Sequence, residues 1–177
     1  MLFKTTTLAL LLSTVVAIPT SLSLTEPGDD SLVVIDTLQL AEGTLTIFGA
    51  NPGHNATEVS SEASSLLTRR CGANNVVCDK NHAPALNTCN ELVKRIKGSS
   101  LTLNSSPRSV CLSRSGGNCC ISWASDIGNV RESDLYNAAK KSLDRCVGEK
   151  NSGRATDVAI NGKCLNQCLS DRATGCK

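Results

Sequence analysis

The chain predicts a small α+β domain stapled by disulfides: an antiparallel sheet of three strands or so carrying two helices. Three observations predict it. All ten cysteines lie between residues 71 and 176, an even number in about one domain's length of chain. Two segments of that stretch repeat apolar residues at three- and four-residue steps. Short runs rich in Val, Ile and Thr, punctuated by Gly and Asn, lie between and after them.

Residues 1–17 have the layout of a secretory signal peptide. Lys4 precedes an apolar run over 8–17, and the small residues Val15 and Ala17 stand at the minus-three and minus-one positions of a cut after Ala17. The run is too short for a hydrocarbon core needing about 20 apolar residues, and no later stretch has that length. The expected product is secreted, extracellular and without a transmembrane segment. An oxidising compartment makes disulfides the default fate of its cysteines.

Residues 18–70 read as an acidic pro-region. Seven carboxylates face only Arg69 and Arg70, a net charge of −5, whereas residues 71–177 hold 15 Lys and Arg against nine Asp and Glu, a net +6. Two expectations compete: that the leader holds the basic domain by charge complementarity, or that it is simply polar. Within it, 31–38 and 43–48 read as two short strands around Ala41-Glu42-Gly43. A hairpin so small is marginal alone, so it is expected to pack on the mature domain. A polar linker over 51–68 follows, carrying the glycosylation sequon Asn55-Ala56-Thr57. It ends at Arg69-Arg70, a dibasic pair in turn-prone sequence, where a processing protease would release a product beginning at or near Cys71.

The mature segment, 71–177, has only Trp123 and Tyr136 as aromatics. Its core must therefore be aliphatic and half-cystine, and bridges worth about 2–4 kcal/mol each carry much of the stability. Cys71, Cys78, Cys89, Cys111, Cys119, Cys120, Cys146, Cys164, Cys168 and Cys176 leave no odd thiol; spacing does not give their pairing. Zinc is the rival use, but the chain has no Cys-x-x-Cys pair and one mature histidine, His82; no metal or other cofactor is expected. A second sequon, Asn104-Ser105-Ser106, is followed by Pro107.

A helix is predicted over 84–97, where Leu86, Cys89, Val93 and Ile96 share a face, Pro84 suits the first turn and Gly98 the stop. Runs 109–113 and 118–123 flank Arg114-Ser115-Gly116-Gly117 as a hairpin. Adjacent Cys119 and Cys120 on its second strand point to opposite faces and should bond different partners. A second helix is predicted over 134–147 with Ser133 as N-cap, Gly148 as stop and Leu135, Ala138, Ala139, Leu143 and Cys146 inward. A strand over 156–160 ends at Asn161-Gly162, and Cys164 and Cys168 fit one face of a final helical turn.

Four stretches carry a family likeness: Cys71-Gly72-Ala73-Asn74-Asn75, Ser106-Pro107-Arg108-Ser109-Val110-Cys111-Leu112, Cys119-Cys120-Ile121-Ser122-Trp123, and Cys168-Leu169-Ser170-Asp171-Arg172-Ala173-Thr174-Gly175-Cys176. Through them 71–177 resembles the fungal small secreted cysteine-rich proteins with a WD-like domain. The resemblance implies a fungal source, secretion and a compact α+β fold, and little biochemistry. It does not imply a propeller, since 107 residues without internal repeats cannot form one.

Catalytic patterns are sparse. His82 is the one mature imidazole for acid–base or nucleophilic work, and no Gly-x-Ser-x-Gly elbow accompanies it. Glu91, Glu132, Asp134, Asp144 and Glu149 lie on or beside helices among basic neighbours and read as surface charge. Trp123 reads as core rather than a sugar-stacking platform. Lys94-Arg95-Lys97 and Lys140-Lys141-Arg145 are local basic groups without stacking aromatics, so nucleic acid is not an expected partner. The expected function is a secreted, non-enzymatic recognition protein with an effector-like, signalling or cell-wall role, engaging an extracellular protein or cell-surface component. The alternatives are a killer-type or antimicrobial toxin acting on membranes and, last, a small hydrolase using His82.

Overall fold

The structure is a computed structural model that describes residues 32–51 and 71–176. Ala17, Arg69, Arg70 and Asn55 lie outside the described residues, as does the signal-peptide segment. The strands are β1 (Leu32–Leu40), β2 (Gly43–Ala50), β3 (Asn75–Asp79), β4 (Thr102–Leu103), β5 (Pro107–Arg114), β6 (Gly117–Trp123), β7 (Val130–Arg131), β8 (Ser152–Ile160) and β9 (Lys163–Ser170). The helices are α1 (Leu86–Ile96) and α2 (Tyr136–Arg145). Seven strands form one antiparallel sheet in the order β1-β2-β5-β6-β9-β8-β3, and β4 and β7 pair separately. The expectation of three strands or so is thereby corrected: the fold is mostly sheet, with two helices.

Strand alternation sorts the residues onto two faces. Leu45 stands opposite Leu112, and Ile47 opposite Val110. Val110 in turn faces Ile121, and Ile121 faces Leu169. This row is buried together with Cys89, Leu92, Val93 and Ile96 of α1 and Ala138, Ala139 and Leu143 of α2. Gly153 on β8 lets α2 come close, since a β-carbon there would lie 2.7 Å from the Ser142 β-carbon. The opposite face carries Ser109, Cys111, Cys120, Ser122, Cys168 and Ser170, all buried. The C-terminal tail closes over it, and a β-carbon on Gly175 would lie 2.2 Å from Ser170 Oγ.

The departures within the sheet have specific causes. The hairpin expected over 31–38 and 43–48 forms as β1 and β2, and it belongs to the same sheet as the strands that follow the dibasic pair. β9 includes Cys164 and Cys168, whose four-residue spacing fits a helix face and a strand face equally. β3 is short and has one buried residue, Val76. β8 begins at Ser152 rather than Thr156, because a register shift between Ala155 and Val158, with Asp157 at φ +57°, breaks its alternation.

The helices form near their expected positions. α1 is shorter at both ends, and Leu86 is exposed while Leu92, between the expected inward positions, is buried. The second helix begins as a 3-10 turn, Glu132–Leu135, so Ser133 is not its N-cap. The five residues expected inward are all buried, and so is Trp123. Glu132 corrects the surface-charge reading: it is 1% exposed and its carboxylate lies 3.7 Å from the Arg95 guanidinium. A carboxylate there needs that partner, because burial of an unpaired charge is strongly unfavourable.

Candidate functional site

The sulfur framework fixes the site. Cys78–Cys146 ties β3 to the end of α2, and Cys89–Cys119 ties α1 to β6. Cys111–Cys120 crosses β5 and β6, and Cys168–Cys176 pins the tail to β9. Cys119 and Cys120 take different partners on opposite faces, as their adjacency on a strand requires. The other two cysteines, Cys71 and Cys164, are both exposed. Gly72 N–H donates to the Asp157 carbonyl at 2.6 Å, and Cys71 Sγ lies 3.8 Å from the carbonyl oxygen of Lys163, the residue before Cys164. Non-reducing peptide mapping of the unreduced protein is expected to recover a Cys71–Cys164 cross-linked peptide. Alkylation of both residues in native, unreduced protein would contradict it.

At the β3 edge, the ends of β3, β8 and β9 meet the loop before α1 and the tail. Together they form a cleft of about 350 Å³ lined by Asp79, Asn81, His82, Ser152, Arg154 and Arg172, among others. Its loop is built locally: Asp79 Oδ1 accepts from Asn81 N–H at 2.7 Å, tightening the turn after β3. His82 follows in the left-handed region, φ +56°, a conformation uncommon for a residue with a β-carbon. It is held there by the tail, since Asp171 N–H donates to the His82 carbonyl at 3.1 Å. The Asp171 carboxylate also lies 3.2 Å from His82 Nδ1. Sequence reading found His82 and missed Asp171, which lies 89 residues away and arrives at the end of β9. Nothing in the sequence marks that meeting.

Two serine hydroxyls also line the cleft. Ser152 Oγ donates to the Asp79 carbonyl at 3.2 Å, and Ser170 Oγ donates to the Arg172 carbonyl at 3.0 Å. Both hydroxyls thus bond to backbone carbonyl oxygen. What the cleft offers is a set of charged and hydrogen-bonding groups of both signs: Arg154, Arg172 and His82 beside Asp79, with Asp171 against His82.

Three residues of the basic groups elsewhere are engaged within the domain. Lys140 pairs with Asp144 at 2.5 Å, one turn away, and Lys141 donates to the Ala73 carbonyl at 3.0 Å. The Asp144 hydrogen bond raises the Lys140 pKa above its ordinary value. Arg95 faces Glu132. Asn104 is exposed and its sequon is bent, with Ser105 and Ser106 at φ +66° and +48°. Among the described residues no group of three or more His, Cys, Asp or Glu is placed to hold a metal ion, and no helix is long and apolar enough to cross a membrane.

A protein-family model, Fungal WD-like, matches residues 53–176. The chain belongs to the fungal WD-like family. The matched span takes in strands β3 to β9, both helices, the four bridges and the cleft, and it stops short of β1 and β2. The WD-like name describes no propeller here: seven strands make one open sheet, and β4 and β7 pair separately. No curated protein and no solved structure matches the chain.

Proposed function

We propose that this WD-like protein is a secreted, non-enzymatic recognition protein that engages an extracellular protein or cell-surface component through the cleft at the β3 edge. The observation that carries the reading is the cleft itself: four charged or titratable side chains of both signs, Asp79, His82, Arg154 and Arg172, around a polar hollow whose two serine hydroxyls are turned to carbonyls. Such a surface binds by charge-assisted hydrogen bonds. The partner is correspondingly polar and bears both signs of charge. Sugar stacking is a poorer fit because Trp123 is 1% exposed. Four disulfides fit an oxidising compartment. The membrane-toxin alternative draws less support, since Arg95, Lys140 and Lys141 of its basic groups already have partners within the domain.

The test is retention of purified protein on intact fungal and plant cells and on isolated cell walls. Arg154→Ala with Arg172→Ala is expected to weaken retention about tenfold, the equivalent of about 1.4 kcal/mol, with the unfolding midpoint unchanged because both side chains are exposed. Unchanged retention would remove the cleft from the account. Dye leakage from vesicles or cells would favour the toxin instead.

A further inference from the structure

The hairpin β1–β2 lies upstream of Arg69-Arg70, yet it supplies two of the seven strands of the sheet. β2 is an interior strand, bonded to β1 on one side and to β5 on the other. Its ladder with β5 runs from Thr44 opposite Ser113 to Gly49 opposite Pro107. Leu45 is wholly buried and Ile47 is 5% exposed, both in the same core as α1 and α2. The seat is also shaped at Gly43, at φ +145°, where a β-carbon would lie 2.4 Å from the Ser113 carbonyl oxygen and 2.8 Å from Arg114 Cγ. Only glycine lets the hairpin turn come that close to the end of β5. Asp36 on β1 is exposed and accepts from the next residue's N–H. Every cysteine lies at or after residue 71, so no disulfide joins the hairpin to the rest.

We infer that residues 32–50 remain seated on β5 when the chain is cut at the dibasic pair, so that the processed protein is a one-to-one complex of two chains without a covalent link. The inference takes the cut itself from the processing reading of Arg69-Arg70. What holds the leader is a backbone ladder and buried apolar side chains. Loss of the hairpin would bare the β5 edge, a pairing template that folded proteins keep covered, and would open the core where Leu45 and Ile47 sit. The leader is then a structural part of the product rather than a discarded cover.

The decisive experiment separates retention from processing. In the full chain, residues 66–70 are replaced by the recognition sequence of a site-specific protease, and the protein is cut and kept unreduced. Denaturing mass spectra should show two chains, while native spectra and size exclusion at micromolar concentration should show a single one-to-one complex. Separation of the two chains under native conditions would overturn the inference, as would a species holding two copies of each. Gly43→Val, cut the same way, is expected to release the leader at least about tenfold more readily, and retention equal to the parent would overturn the assigned seat. Leu45→Ala provides a second, milder variant in the same direction. The intact mass of the unaltered secreted protein reports processing separately. A single uncut chain there would overturn the natural two-chain product, while the engineered cut would still decide the seat.

Discussion

Replacing Cys78 and Cys146 together by serine is expected to lower the unfolding free energy by about 4 kcal/mol, the largest loss among the four bridges. The sequence separations are 68 for Cys78–Cys146, 30 for Cys89–Cys119, 9 for Cys111–Cys120 and 8 for Cys168–Cys176. Chain-entropy loss in the unfolded state grows with the logarithm of loop length, so the two short bridges should each be worth about 2.5 kcal/mol. The native contacts point the same way. β3 is an edge strand paired only with β8, and it has one wholly buried residue, Val76, so the bridge to the end of α2 is its principal anchor. Denaturant unfolding of the four paired serine variants measures the ranking. Equal losses, or the greatest loss at Cys168–Cys176, would show that loop closure is not what the sulfur framework contributes.

Leu45→Ala is expected to destabilise the whole domain by about 3 kcal/mol, within the usual 2–5 kcal/mol for a buried leucine. Leu112→Ala should cost about the same. The two side chains are cross-strand neighbours, each at 0% exposure, and truncation of either leaves a hole in one shared core. A leader that merely rested beside the domain would give a different pattern: a loss at Leu112 and none at Leu45. Parallel unfolding curves of the two variants, followed by Trp123 emission, distinguish these outcomes. Trp123 is a suitable reporter because it is the only tryptophan and is buried on β6.

Both helices and the β5–β6 hairpin were legible from apolar spacing and from the Ser115-Gly116 turn between paired strands. The opposed bonding of Cys119 and Cys120 followed from strand geometry alone. The sheet was undercounted wherever a local signal was ambiguous or broken. Cys164 and Cys168 fit two periodicities, and the bulge at Asp157 divided β8. The dibasic pair suggested a boundary between units, and covalent processing says nothing about which strands pair. Hydrophobic patterning did mark the hairpin itself; its place in the seven-stranded sheet depends on β5 having an unfilled edge, which is a property of the assembled fold. The cleft was less legible still. His82 stood out as the sole mature histidine, but Asp171, Asp79, Arg154 and Arg172 meet it through the order of β9, β8 and β3. Glu132, buried against the partly exposed Arg95, was read as surface because its own segment, Arg131-Glu132-Ser133-Asp134, is polar.

The central claim is that one sheet is built from both sides of Arg69-Arg70. Hydrogen–deuterium exchange of the unreduced, full-length protein tests it most directly, read on peptides covering 43–50, 107–114 and 117–123. Interior strands of one cooperative sheet exchange only through large openings, so all three peptides should be protected to a similar degree. Exchange of 43–50 at the rate of an unstructured chain, with 117–123 still protected, would contradict the account.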